Sequence, residues 1–154
     1  MADDANDLVL ERVIEAQRDK IWRCWVEPEL LKQWFCPKPW FVSEARLDPR
    51  PGGEFFTVMN GPDGGRFENH GVFLEVVDNE RLVTTDAFRP GWRPSGHSFM
   101  AAEVLLEEVG PDRTRYTARA MHWSAEARQE HEAMGFHEGW GKAADQLEAL
   151  AKTI

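Results

Sequence analysis

Cysteine is scarce: Cys24 and Cys36 are the only two in 154 residues. Two isolated thiols build no disulfide framework and lack the spacing of a metal cluster. Cys36, between Phe35 and Pro37, reads as a small apolar filler. Basic charge is also in short supply: 18 Lys and Arg stand against 27 Asp and Glu, a net charge of −9. Without a basic stripe, nucleic acid is excluded as a partner, and an anionic membrane surface is disfavoured. No apolar run approaches the ~18 residues that span a bilayer. The acidic start MADDAND (1–7) is followed by no apolar leader, so no signal peptide is read and a cytoplasmic protein is expected. Nucleophile motifs are missing too, with no Gly-x-Ser-x-Gly and no cysteine beside a histidine. The glycine-rich NGPDGG (60–65) lacks Gly-Lys-Ser/Thr and joins two strands, which makes it a turn and not a phosphate cradle.

Large aromatics are abundant: seven Trp and nine Phe, against one Tyr. Small-molecule pockets are lined by apolar and aromatic groups with a few polar anchors. Trp34, Trp40, Phe55, Phe67, Trp92, Phe99, Phe136 and Trp140 are therefore candidate lining residues. Trp92 stands out because it lies between Pro90 and Pro94, in RPGWRPSG (89–96). That segment is expected to form no regular structure, and Trp92 to serve as a lid or an interface.

The remaining pattern divides into elements. Residues 1–7 are expected to be frayed, with a single domain over 8–154. Leu8–Glu15 has strand content. Ile21, Trp22 and Trp25 recur at helical spacing over Arg18–Val26. Pro28 opens a second short helix, EPELLKQWF, which Pro37 and Pro39 end. Six strands follow: Phe41–Asp48, Gly53–Met59, Phe67–Val77, Arg81–Ala87, Ser98–Glu108 and Thr114–His122. In the first of them Phe41, Ser43, Ala45 and Leu47 share one side. Ser124 is a helix cap. After it Ala133, Phe136, Trp140, Ala143, Leu147, Leu150 and Ile154 step by three or four, one long amphipathic helix. A run of hairpin-linked strands makes an antiparallel sheet whose apolar face that helix must cover, an α+β architecture.

Within that helix, MGFHEGWG (134–141) carries three glycines, each costing about 1 kcal/mol against alanine. Gly135 and Gly139 would share a face. They then either pack closely on the sheet or leave space under the helix for an aromatic-walled cavity. His70 shares strand parity with Val72, Leu74 and Val76, and Glu68 is placed to pair with it. His122 faces inward at the end of the last strand. His70, His122 and Glu68 are thus candidate polar anchors or acid–base groups. His131 and His137 miss the i, i+4 spacing of a helical metal pair, so no metal and no cofactor is expected.

Four stretches are more specific: KIWRCWVEPELLKQWFCP, LDPRPGGEFFTVMNGPDGGRF, HGVFLEVVDNERLVTTDAF and HEAMGFHEGWGKAADQLEAL. With the order β-α-α-β6-α, they resemble the helix-grip fold of the START-like, or SRPBCC, superfamily over residues 8 to 152. The nearest group is similar to the C-terminal domain of the activator of heat shock protein 90 ATPase. The resemblance implies a curved antiparallel sheet around a long C-terminal helix. It also implies a hydrophobic, lipid-like or aromatic ligand held between them, as superfamily members hold lipids, sterols, hormones or polyketides. Two alternatives follow from it: a regulator of a heat shock chaperone ATPase in the stress response, and a cyclase- or hydrolase-type enzyme built on the same cavity. The named activator has a further N-terminal domain that engages the chaperone, and none is expected within these 154 residues. The protein is expected to be a monomer or a homodimer.

Overall fold

The computed structural model describes residues 5–154. The elements run β1 Asp7–Ile14, α1 Arg18–Val26, α2 Pro28–Leu31, β2 Phe41–Leu47, β3 Glu54–Asn60, β4 Arg66–Val77 and β5 Arg81–Thr85. A short hairpin follows, β6 Phe88–Arg89 and β7 Arg93–Pro94, then β8 Met100–Gly110, β9 Arg113–His122, α3 Ala125–Ala133 and α4 Phe136–Ala151. Seven strands form one antiparallel sheet in the order β1-β9-β8-β5-β4-β3-β2. Strand β1 closes against β9, so the first strand pairs with the last.

One face of the sheet packs on the helices. Ile14, Phe73, Leu82, Val104, Leu106, Tyr116 and Ala118 join Ile21, Trp22, Trp25 and Leu31 in a single core. Helix α4 adds Ala143, Ala144, Leu147 and Ala151. Three alanines on that stripe leave little bulk, so α4 lies close against α1 and β1. The opposite face carries cross-strand ion pairs. Arg81 reaches Glu75 and Glu103 at 2.7 and 2.8 Å, and Arg119 reaches Glu103 and Asp7 at 3.2 and 3.1 Å. Opposite charges on neighbouring strands stabilise a solvated sheet face modestly.

Five details differ from the pattern read in the sequence. The long C-terminal helix is two helices, because Gly135 is left-handed at φ +95° and separates α3 from α4. The apolar stepping of three or four passes through that break unaltered, so periodicity could not reveal it. In β2 the register shifts between Val42 and Glu44. Ser43 is the extra residue of a bulge, and Val42, Ala45 and Leu47 face the helices. A second bulge, at Leu74, shifts β4 between Phe73 and Glu75. Helix α2 stops at Leu31, and the chain continues in tighter turns, Gln33 N–H to Leu30 C=O and Trp34 N–H to Leu31 C=O. Finally, the 89–96 segment is not wholly irregular, since β6 and β7 pair across it.

Candidate functional site

The clearest concentration of chemistry lies under the α3–α4 junction. Strand β9 ends at His122, which register places opposite Met100 on the helix-facing side. Helix α3 starts at Ser124, whose hydroxyl accepts from Ala127 N–H at 3.1 Å. That cap orients α3 so that His131, its one buried side chain, points down onto the strand end. His122 Nε2 and His131 Nδ1 lie 2.9 Å apart. His122 Nδ1 donates to the carbonyl of Asn6 at 2.7 Å, so the chain entering β1 holds the imidazole in place.

Aromatic rings surround this pair. His131 lies 4.9 Å from Phe99, 5.3 Å from Phe136 and 5.9 Å from Trp140, ring centre to ring centre. His122 is 5.8 Å from Phe99. Phe136 and Trp140 stack at 4.5 Å, and with Leu8, Leu10, Met100 and Ala120 they form a second apolar cluster. Both imidazoles are 7% exposed. Loss of water pushes the His131 imidazolium down to about 4, with the neighbouring His122 acting in the same direction. Asp86 positions Phe99 by accepting its backbone N–H at 2.8 Å.

The site residues expected from the sequence fall into four places. Phe99, His122, Phe136 and Trp140 meet in the cluster just described. Trp34 and Phe55 lie deeper, in a continuous aromatic stack with Trp25, Phe35 and Phe73. The Trp34 indole donates to Cys24 C=O at 2.9 Å, which ties α1 to the segment after α2. Trp40 and Phe67 contact each other at 5.7 Å near the free edge of the sheet, 37% and 53% exposed. Phe67 is on the helix-facing side by register with Met59.

His70, Glu68 and Trp92 are elsewhere. His70 pairs with Phe56 in register and lies 4.7 Å from its ring, on the face turned away from the helices. The inward orientation expected for His70 is therefore corrected. The extra residue at Leu74 reverses parity, so Val76 faces in while His70 and Val72 face out. Glu68 does approach His70, at 3.2 Å, but Arg66 is its stronger partner and holds the carboxyl below the usual range. Trp92 rests on Gly52, close enough that a β-carbon there would meet the indole at 3.0 Å. It packs with Phe88 and clasps the β6–β7 hairpin to the turn between β2 and β3.

His131 is the functional candidate that sequence spacing missed. Spacing along one helical stripe compares it only with His137, which the structure places on α4. Its partner comes from β9, and only α3 folding back over the strand brings the two together. A shallow depression of about 740 Å³ lies on the outer face among Arg81, Arg115, Arg119, Glu11 and Glu75. Its charges are already paired across the strands. Among the described residues no group of three or more His, Cys, Asp or Glu is arranged to hold a metal, and no helix is long and apolar enough to cross a membrane.

A curved antiparallel sheet gripping a C-terminal helix, with a polar pair set in aromatics between them, defines an α+β protein of the START-like helix-grip class. The chain belongs to the family described as activator of Hsp90 ATPase homolog 1-like proteins, which it matches over residues 15–152. Among solved structures, it is similar to a Nitrosomonas europaea protein at 49% identity, covering 99% of this chain and 97% of that one with a TM-score of 0.95. A Mycobacterium smegmatis protein is 25% identical over 96% of this chain and 91% of its own, with a TM-score of 0.79. An AHSA1-like protein of Aeromonas hydrophila shares the fold at 19% identity, 96% and 92% coverage and a TM-score of 0.71. No match is found among curated proteins.

Proposed function

We propose that the protein binds a small hydrophobic or aromatic molecule between the sheet and the C-terminal helices, at the α3–α4 junction. The observation that supports this best is the hydrogen-bonded His122–His131 pair inside an apolar shell of Phe99, Phe136 and Trp140. A plain core would fill this volume with aliphatic groups and avoid the cost of burying polar nitrogens. Pockets combine apolar walls with a few convergent polar groups. Entry is by movement of α3, which buries one side chain and joins α4 through a left-handed glycine. Trp40 and Phe67, exposed at the sheet's free edge, are a second apolar surface for a longer ligand. Regulation of a chaperone ATPase is the competing reading, and the family description is what supports it.

The test is native mass spectrometry of the protein from its own host, followed by NMR titration with the molecule found. The expected result is a co-purifying apolar compound whose addition shifts the Phe99, His131 and Trp140 resonances. Trp140→Ala should weaken it about tenfold, equivalent to about 1.4 kcal/mol. A bound compound that leaves these resonances in place would move the site elsewhere.

A further inference from the structure

The hydrogen-bond chain through the two imidazoles determines which end of a ligand this site can recognise. The Asn6 carbonyl can only accept, and it lies 2.7 Å from His122 Nδ1, so that nitrogen carries a hydrogen. An uncharged imidazole has one N–H, which leaves His122 Nε2 as a bare lone pair. Its partner 2.9 Å away is His131 Nδ1, which must therefore be the donor. The proton of His131 is then committed to His122. His131 Nε2 ends the chain as an acceptor, on a ring enclosed by Phe99, Phe136 and Trp140. Burial strips water from the ring and holds the imidazolium of His131 down, so the ring is uncharged at pH 8.

We propose that His131 Nε2 makes this a site for aromatic ligands bearing a hydroxyl or N–H donor, phenols above all, and against analogues whose polar atom only accepts. This rests on the reading of the α3–α4 junction as the ligand site. The aromatic shell takes the ring of the ligand, and the imidazole lone pair takes its O–H. An ether or ketone in the same pose sets one lone pair against another. A site built around one hydrogen bond rejects ligands that leave it unmade far more strongly than an apolar pocket rejects a methylene.

The experiment compares 1-naphthol, 1-methoxynaphthalene and naphthalene on the wild-type protein at pH 8, by calorimetry and by NMR shifts of Phe99, Phe136 and Trp140. Imidazole nitrogen-15 spectra of the free protein are recorded in parallel. The expected result is at least tenfold tighter binding of 1-naphthol than of 1-methoxynaphthalene, with His131 protonated on Nδ1 and bare on Nε2. In His131→Phe the naphthol preference should vanish while naphthalene still binds. Equal affinity for naphthol and its methyl ether overturns the donor selectivity and leaves the ligand site standing. A proton on His131 Nε2 overturns the selectivity whatever the affinities. Failure of all three probes to shift the junction overturns the selectivity and the site together. The wild-type spectra and affinities decide the matter even if the variant does not fold.

Discussion

Gly135, Gly139 and Gly141 are closely spaced in the chain but sit in different surroundings. Gly135 sits at φ +95°, a conformation that costs an L side chain about 1–2 kcal/mol, and it ends one helix and starts the next. Gly139 lies within α4, and a β-carbon there would meet only Pro37 Cγ, at 4.0 Å. Gly141 faces Arg12, whose Nη2 would be 3.5 Å from an added β-carbon. Arg12 crosses from β1 to pair with Asp145 on α4 at 2.5 Å. Two substitutions should therefore have opposite signs. Gly135→Ala should lose about 1 kcal/mol or more to backbone strain. Gly139→Ala should gain up to about 1 kcal/mol, because it removes a helix-interior glycine at ordinary contact distance. Urea unfolding measures both. A destabilising Gly139→Ala would mean that α4 is pressed more tightly on the 36–40 segment than these distances show.

Helix α3 differs from α4 in how it is held. Four residues within α4, Ala143, Ala144, Leu147 and Ala151, are buried in the main core with Phe136 under its first turn. In α3 only His131 is buried, and the other anchors are the Ser124 cap and an Arg128 bond to Asp7 C=O at 3.3 Å. Segments with few buried apolar contacts open well below the global unfolding free energy. Amides of α3 should accordingly exchange with deuterium at least about 100-fold faster than those of residues 143–151. Equal protection would make α3 a fixed roof and remove the entry route proposed here. One apolar stripe in the sequence corresponds to two helices in the fold for a plain reason. Ala133 and Phe136 keep the three-residue step in the sequence on either side of Gly135, and the left-handed turn there leaves Ala133 exposed and buries His131 instead.

Across the whole molecule, the buried His131 imidazole ties stability to pH. His131 in an unfolded chain takes its proton near 6.5, and in the fold only near 4. The unfolded state therefore binds more protons in that window, and stability contributed by the neutral imidazole is complete above pH 6.5 and lost on the way down to 4. The loss is on the order of 3 kcal/mol, from a pKa lowered from 6.5 to about 4. Denaturant midpoints of wild type should fall more steeply between pH 7 and pH 4 than those of His131→Gln. Parallel curves would show that His131 is not the group responsible. The element order, the antiparallel sheet and the apolar stripe of the C-terminal segment were all legible in the chain, because alternation and helical stepping are local properties of hydrophobic pattern. The two bulges were not, since one extra residue shows only against a paired strand, and the one at Leu74 is what turned His70 outward. Nor was the partnership of His122 with His131, which belong to a strand and a helix that periodicity treats separately. Residue type and order along the chain determined a sheet with a helix over it. Where α3 folds back, and hence which histidine meets which, was decided only by tertiary packing, because the left-handed turn at Gly135 and the burial of His131 depend on contacts that local sequence does not contain.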